Sequence, residues 1–339
     1  MIKLDWNDIS IVPAMISSIS SRSEINPYLN DKLPLFTAPM DTVIDEKNIN
    51  EFEKNYINIC LPRNVKYDTL KNDNYFYSYG LDEIYNLYNS DSKLPKKVLI
   101  DVANGNMLRL WEVSKLLKEK FGDNIELMVG NIANPKTYRE FCEIGVDWIR
   151  VGIGGGSACT TSANVAIHYP MASLIRECKD LSYGVDKPTK IIADGGFKNF
   201  SDIIKALAMG ADAVMLGGVF NKCLESCSDS FSKNELGDFT QLSKEEAEKY
   251  FDEGATIYKY YRGMSTKEVQ KSWNRKVIKT GEGISKYNNV EYKLSGWCEN
   301  FTDYLKSAMS YTGCRTLEEY CGEVEWIQIS DNAFNRFNK

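Results

Sequence analysis

Short apolar runs recur along the chain, and each is separated from the next by a longer amphipathic stretch. Runs of four or five such residues are typical of strands buried in a parallel sheet, and the stretches between them carry helical periodicity. Strands that alternate with helices predict βαβ units. The predicted strands are residues 35–38, 57–61, 98–102, 126–129, 148–151, 190–193 and 213–216, and the predicted helices are residues 111–121, 136–144 and 200–209.

The alternation by itself fits two architectures, a doubly wound open sheet and a closed (β/α)8 barrel. The chain has 339 residues, which suits one barrel with insertions, since a barrel typically needs about 250. Two polar regions interrupt the rhythm: acidic residues 221–254, with a helix-like segment at 243–253, and basic residues 266–295. Such insertions in a barrel usually form a lid or flap at the catalytic face. We therefore expect one domain over residues 1–339 that contains both insertions, although solvated surface is the simpler interpretation of many of their charges.

The composition argues against several classes of function. A net charge of −6 disfavours a general nucleic-acid binder. No apolar run approaches the about 20 residues of a membrane span, and the N-terminal sequence lacks the pattern of a secretory signal. The nine cysteines form no CxxC pair and His168 is the single histidine, so no zinc site is expected, even at Cys223 and Cys227. We expect reduced thiols in a cytoplasmic protein that binds neither nucleic acid nor membrane.

Three glycine-containing turns follow predicted strands. They are residues 152–161 (GIGGGSACTT), 193–196 (ADGG) and 216–218 (LGG). Loops after the late strands of a barrel often bind phosphate, because glycine lets backbone N–H groups approach an anion closely. Asp194 at a strand end supplies a charged acceptor for ribose hydroxyls. Cys159 would lie beside the ligand, where a thiolate can attack it. An inert buried thiol is the alternative.

Further motifs extend over nearly the whole chain. They are residues 3–24, APMDTV at 38–43, DVANG at 101–105, GNI at 130–132, the block 191–218, YRGMS at 261–265 and SAMSYTG at 307–313. Together with residues 149–170, which resemble a catalytic loop, these motifs resemble the inosine-monophosphate dehydrogenase and guanosine-monophosphate reductase family. The resemblance implies a closed (β/α)8 TIM barrel with the insertions at its C-terminal face, and this is the fold we expect.

The resemblance implies covalent chemistry at a purine nucleotide. In this family a cysteine attacks C2 of the purine and a nicotinamide cofactor exchanges hydride with that carbon, so Cys159 is the expected nucleophile. Thr161 matches the threonine that helps to activate the leaving amine. Glu282 matches the glutamate of the reductase branch, where the dehydrogenase branch has glutamine. A carboxylate there can carry protons to departing ammonia, which glutamine cannot.

Three other features favour the reductase branch. DVANG is the reductase form of a motif that usually reads DxAHG in the dehydrogenases. No Arg-Tyr dipeptide, which activates water in the dehydrogenases, occurs in residues 266–295, and no tandem regulatory insertion is present. We therefore expect an NADPH-dependent GMP reductase that acts on GMP or a close guanine nucleotide such as dGMP. An NAD-dependent IMP dehydrogenase and a non-catalytic purine-nucleotide-binding protein are the alternatives.

The resemblance also assigns other residues around the nucleotide. Arg63 aligns with a lysine near the reductase chemistry, and Asp194 is expected at the ribose. Relatives are tetramers or larger, so a homotetramer is expected. The phosphate residues would be Ser157, Gly196, Gly217 and Gly218; the base residues Met264, Ser265 and Gly283; the cofactor residues Asp101, Ala103, Asn104, Asn131 and Lys279; and the carbonyls for a potassium ion those of Gly154, Gly156 and Cys159.

Four positions depart from the family pattern close to the expected substrate. Gly155 replaces a proline, Ser162 an arginine and Met171 a glutamine, and Arg63 stands where the reductase has lysine. Glycine makes the loop less preorganised than proline does. Arginine keeps the charge but cannot donate a proton at neutral pH. A deoxynucleotide or a modified purine is therefore an alternative substrate, although Asp194 favours a ribonucleotide.

Overall fold

The secondary structure follows the alternation of strands and helices that the sequence predicts. The computed structural model describes residues 2–90, 93–272 and 280–337. In these ranges the strands are β1 (Ile9–Ile11), β2 (Leu35–Thr37), β3 (Cys60–Leu61), β4 (Phe76–Tyr79), β5 (Lys97–Asp101), β6 (Glu126–Ile132), β7 (Trp148–Val151), β8 (Lys190–Asp194), β9 (Ala213–Leu216), β10 (Ser230–Lys233), β11 (Phe239–Leu242), β12 (Tyr258–Arg262), β13 (Ser285–Asn289) and β14 (Trp326–Gln328).

Helices follow most of the central strands. Those of the described residues are α1 (Ile49–Lys54), α2 (Tyr67–Leu70), α3 (Leu81–Asn89), α4 (Leu108–Phe121), α5 (Pro135–Glu143), α6 (Thr161–Val165), α7 (Met171–Ser182), α8 (Phe200–Ala208), α9 (Gly218–Asn221), α10 (Lys244–Asp252), α11 (Lys267–Ser272), α12 (Leu294–Thr312), α13 (Leu317–Tyr320) and α14 (Asp331–Phe337). None of them is long and apolar enough to cross a membrane.

Eight parallel strands form the central sheet, in the order β2-β9-β8-β7-β6-β5-β4-β3. The two ends of this order meet, because Thr37 N donates to Asn58 O over 3.0 Å and Asn58 N donates to Leu35 O over 2.9 Å. The Thr37 hydroxyl adds a bond to Cys60 O over 2.9 Å. The sheet therefore curls into a (β/α)8 barrel, and the predicted fold is confirmed.

The interior of the barrel is filled with side chains. Alternate residues of the strands point inward and form one buried cluster, in which Phe36 packs edge-on against Phe76 and Trp148. A second and larger cluster lies between the strands and the surrounding helices. Because the interior is packed, a ligand can bind only beyond the strand ends, where the loops that follow the strands converge.

All seven predicted strands are present, and one barrel strand was missed. The missed strand is β4, whose sequence FYSY does not read as an aliphatic run. Ser78 of this strand is nonetheless buried. Its hydroxyl is satisfied there, since it donates to Leu61 O over 2.6 Å. The predicted helix at 111–121 begins three residues earlier in the structure, at Leu108.

Strands from the two polar regions, with β12 from the stretch between them, form a separate antiparallel sheet with strand order β11-β10-β12-β13. The helix expected at 243–253 is α10, and the Ser243 side chain caps it by accepting a bond from Glu246 N. The strands were not predicted, because their exposed faces are polar and their apolar contacts are mainly aromatic. Phe239 and Tyr287, for example, stack with ring centroids 4.0 Å apart. This sheet brings the segment that contains Glu282 to the rim of the barrel.

Candidate active site

A cleft of about 550 Å³ opens at the carboxyl ends of the barrel strands. It contains most of the residues that the sequence singled out. Asn104 and Gly283 are not among the lining residues, and Lys279 lies outside the described residues. The predicted residues that line the cleft are Arg63, Asp101, Ala103, Asn131, Gly154, Gly156, Ser157, Cys159, Thr161, Asp194, Gly196, Gly217, Gly218, Met264, Ser265 and Glu282.

Cys159, Thr161 and Glu282 form a continuous hydrogen-bonded trio. Cys159 Sγ donates to Thr161 Oγ1 over 3.2 Å, and Thr161 Oγ1 donates to Glu282 Oε2 over 2.6 Å. The first two residues follow β7, whereas Glu282 comes from the segment before β13. Because a hydroxyl both accepts and donates, a proton can pass from the thiol to the carboxylate along this path.

Backbone hydrogen bonds fasten these two segments together. Thr160 N donates to Glu282 O over 2.9 Å, and Ile284 N donates to Ala158 O over 3.0 Å. Cys159 and Gly283 therefore face each other as an antiparallel β-bridge. Gly283 itself does not line the cleft, and the residues on either side of it, Glu282 and Ile284, bond to the loop that contains the cysteine. The bridge places the thiol and the carboxylate on the same wall of the cleft.

Beside this trio, glycine-rich loops pack backbone against backbone. Gly195 has φ +96°, and a Cβ atom there would lie 3.2 Å from Gly156 N. A Cβ at Gly218 would lie 3.0 Å from Ser157 Oγ, and one at Gly217 would lie 3.1 Å from the Tyr261 hydroxyl. Side chains at these positions would crowd the concave surface that the loops form. Such a surface of backbone N–H groups suits an anion.

Sequence reasoning did not assign Tyr261 to the cleft, which it lines together with Ser157. Burial raises the pKa of its phenol above the usual range, against a smaller lowering by a hydrogen bond with Ser157. At neutral pH the hydroxyl therefore stays protonated and can donate a hydrogen bond to an anion. Its place in the YRGMS motif was the available signal, but only Met264 and Ser265 of that motif were assigned to the site.

A chain of charged groups crosses the floor of the cleft. Arg63 Nε lies 3.3 Å from Asp101 Oδ2, and Arg63 also donates to the backbone carbonyl of Asp101. Arg150 Nη1 donates to Asp101 Oδ1 over 2.7 Å, and Arg150 Nη2 donates to Asp194 Oδ2 over 2.8 Å. Asn131 Nδ2 donates to the same Asp194 oxygen over 2.7 Å. The two carboxylates that the sequence assigned to cofactor and ribose are thus joined through one guanidinium group.

Arg150 was also missed by sequence reasoning, because it lies within a strand that reads as apolar. Arg150 is only 7% exposed. Burial lowers the pKa of Arg150, but the carboxylates of Asp194 and Asp101 outweigh that effect and raise it above its ordinary value. The signal was an arginine inside the short strand WIRV, since a buried charge of this kind needs a partner.

Comparison with known proteins places this arrangement in a family. Residues 96–336 match the family model described as IMP dehydrogenase / GMP reductase domain. The chain belongs to this family. A GMP reductase of Buchnera aphidicola subsp. Schizaphis graminum is 30% identical, and the match covers 99% of this chain and 98% of the relative.

Two further relatives represent both branches. Human GMP reductase 1 is 28% identical to this chain, and the match covers 97% of this chain and 96% of the human protein. An inosine-5'-monophosphate dehydrogenase of Cryptosporidium parvum is 31% identical, and the match covers 70% of this chain and 55% of that relative. Reductases and dehydrogenases are both oxidoreductases, and this is the class of enzyme that the family indicates for the chain.

The structure shows what surrounds three of the positions that depart from the family pattern, namely Met171, Ser162 and Arg63. Met171 is buried and its thioether lies against Gly152. The Ser162 hydroxyl donates to Gly154 O over 3.1 Å. The guanidinium of Arg63 lies over Gly80, which has no side chain to obstruct it. With these three residues in place, Cys159, Thr161 and Glu282 are hydrogen-bonded in a continuous path.

The described residues show no cluster of three or more histidine, cysteine or acidic side chains that could hold a metal ion. Cys223 donates to Phe220 O over 2.8 Å and Cys227 to Asp41 O over 3.4 Å. Of the three carbonyls expected at a potassium ion, Gly154 O accepts the Ser162 hydroxyl and Gly156 O accepts Cys159 N. A carbonyl oxygen has two lone pairs, so each of these two keeps one for a cation.

Proposed function

We propose that this protein is an NADPH-dependent GMP reductase-like enzyme that converts GMP to IMP and ammonia, or acts in the same way on a close guanine nucleotide such as dGMP, whose product would be dIMP. The observation that carries the proposal is the hydrogen-bonded path from Cys159 through Thr161 to Glu282. A nucleophile, a hydroxyl relay and a carboxylate in this order are what covalent deamination at C2 of a purine requires.

The proposed reaction is GMP + NADPH + 2 H⁺ → IMP + NADP⁺ + NH₄⁺. The Cys159 thiol passes its proton through Thr161 to Glu282, and the thiolate forms a C–S bond to C2 of guanine. Glu282 then returns that proton through Thr161 to the 2-amino group, and the C–N bond breaks to release ammonia, which takes up a proton from solvent to become ammonium. NADPH, when bound, supplies hydride to C2. Breaking the C–S bond frees IMP, and the released thiolate takes up a proton from solvent to restore the thiol.

The remaining cleft residues would hold the nucleotide in place for this attack. The glycine loops with Ser157 and Tyr261 suit the phosphate, which fixes the ring within reach of the sulfur. Arg150 and Asn131 both bond to Oδ2 of Asp194, which leaves Oδ1 for a ribose hydroxyl. Met264 and Ser265 would contact the base. The polar residues Asp101 and Asn131 fit the amide and hydroxyl groups of a nicotinamide nucleoside.

The first experiment follows NADPH absorbance at 340 nm with purified protein and either GMP or dGMP, together with assays of ammonia and IMP. Loss of absorbance with stoichiometric ammonia is the expected result. NADH formation from IMP and NAD⁺, with no reaction of either guanine nucleotide, would assign the protein to the dehydrogenase branch instead. Nucleotide binding without turnover in any mixture would favour a non-catalytic binding protein.

A Cys159→Ala variant tests the nucleophile. We expect turnover to fall by at least about a thousandfold, because without the thiolate no covalent adduct forms. Binding of GMP, measured by calorimetry, should change little, since phosphate and ribose contacts are retained. A Cys142→Ala variant, which removes a buried thiol far from the cleft lining, serves as the control.

Two finer parts of the proposal are tested with the same assay. Replacing potassium by lithium at equal ionic strength should reduce turnover if the carbonyls of Gly154, Gly156 and Cys159 hold a potassium ion. Light scattering on the purified protein tests the expected homotetramer. Neither result changes the assignment of the covalent chemistry.

A further inference from the structure

Two asparagine side chains outside the cleft are hydrogen-bonded to each other, and one of them also bonds to two backbone carbonyls. Asn221, at the end of α9, is 0% exposed, and Asn288, on β13, is 8% exposed. Asn288 Nδ2 donates to Asn221 Oδ1 over 2.8 Å. Asn221 Nδ2 donates to Thr42 O over 2.8 Å and to Tyr260 O over 3.1 Å. Neither asparagine lines the cleft.

This pair connects three parts of the molecule. Thr42 belongs to the loop after barrel strand β2, Tyr260 to β12 and Asn288 to β13. Asn221 also closely follows the phosphate turn at Gly217, to whose carbonyl its own backbone N–H donates over 2.9 Å. The hydrogen bonds of the asparagine pair thus connect the antiparallel sheet to the rim of the barrel.

The strand that carries Asn288 follows Glu282 closely in the sequence. β13 begins at Ser285, three residues after the glutamate, and pairs along its whole length with β12. On its other side the same segment is bonded to the catalytic loop through Thr160 and Ile284. The position of the Glu282 carboxylate is therefore set jointly by the loop that contains Cys159 and by the anchoring of β13.

We propose that Asn221 and Asn288 are positioning residues, whose hydrogen bond holds β13 on the barrel and thereby keeps the Glu282 carboxylate within reach of the Thr161 hydroxyl. The inference rests on the proposed function for its catalytic consequence. The orientation of the Asn221 amide is fixed, because its nitrogen already donates to two carbonyls. Asn221 therefore offers only an oxygen to β13, and residue 288 has to be a donor.

An Asn288→Asp variant tests this requirement, since it keeps the shape of the side chain and replaces the donor with an acceptor. Asn288→Leu removes the polar group and is the second variant. Asn289→Leu, on the exposed side of the same strand, is the matched control. We expect kcat for GMP to fall by about tenfold or more in both Asn288 variants, as for a lost buried hydrogen bond. The KM for GMP should change by less than about twofold, because the phosphate loops are intact.

A double-mutant cycle with Glu282→Gln separates positioning from general damage. If Asn288 acts through the carboxylate, Asn288→Leu should have no further effect on kcat in the Glu282→Gln background. Full additivity of the two effects, or an equal fall in Asn289→Leu, would overturn the proposal.

Hydrogen exchange gives a readout that needs no turnover. Backbone amides of residues 280–285 should exchange faster in Asn288→Leu than in the wild type or in Asn289→Leu. Unchanged exchange would overturn the anchoring role even if kcat fell. If the wild type reduces no guanine nucleotide, the proposed function fails, and the exchange comparison still decides whether the asparagine pair holds the Glu282 segment.

Discussion

At the scale of single residues, Arg150 is the side chain whose loss we expect to destabilise the protein most. Its guanidinium lies between the carboxylates of Asp101 and Asp194 and forms an ion pair with each, and its side chain is 9% exposed. Breaking a buried ion pair on one side leaves an uncompensated charge and typically costs about 3–5 kcal/mol. Urea unfolding of Arg150→Met should therefore show a loss in this range relative to the wild type.

Lys187→Met is the control for that measurement. Lys187 also forms an ion pair, with Asp123 at 2.9 Å, but the two side chains are 73% and 85% exposed. Exposed pairs contribute little to stability, so we expect no measurable change. If Arg150→Met proved as stable as Lys187→Met, the two carboxylates would not depend on the guanidinium, and the cleft floor would need another explanation.

At the scale of elements, the sequence predicts what is repetitive and local and misses what is paired over long distances. The barrel strands are aliphatic runs in regular alternation with helices, so seven of the eight were found. The sheet formed by β10 to β13 was not predicted, because β12 and β13 are separated by residues 263–284 in the sequence and are polar on their exposed faces. The roles proposed for Cys159 and Glu282 came from family motifs. Arg150 could have been suspected from its place in an apolar strand, but its partners, like those of Asn221, are residues distant in the sequence.

The close approach of the two active-site segments gives a prediction at this scale. A Cβ atom at Gly263 would lie 2.6 Å from Ala158 O and 3.3 Å from Gly283 Cα. Gly263→Ala should therefore push the Cys159 loop away from the Glu282 segment, and we expect kcat for GMP to fall by at least about tenfold.

Gly296→Ala is the matched control, because a Cβ at that helical glycine of α12 meets no atom within 4 Å. Alanine there should raise the free energy of unfolding by up to about 1 kcal/mol through its helix propensity, with kcat unchanged. Thermal unfolding and the NADPH assay on both variants decide the matter. A Gly263→Ala enzyme with wild-type kcat would contradict the view that the bridge between the two segments matters.

At the scale of the whole molecule, the fold buries seven of the nine cysteines and leaves Cys159 and Cys227 partly exposed. Burial raises the pKa of the thiols of Cys60, Cys178, Cys223, Cys227, Cys298, Cys314 and Cys321 above its ordinary value. Cys142 is also buried, whereas Cys159 is partly exposed and faces the cleft. Only thiolates react with alkylating reagents, and each unit by which a thiol pKa rises above the ambient pH lowers the thiolate fraction about tenfold.

Iodoacetamide at pH 7.5 should therefore modify Cys159 at least about tenfold faster than any other cysteine of the native protein. Peptide mass mapping over time measures the rates, and a Cys159→Ser variant should stay nearly unlabelled over the same period. GMP should slow the reaction at Cys159, because the proposed complex covers the sulfur. Labelling of Cys227 at a comparable rate would mean that the loop before β10 opens readily in solution. Labelling of Cys159 that GMP does not slow would place the nucleotide away from the thiol and contradict the covalent mechanism, whatever the assay of turnover shows.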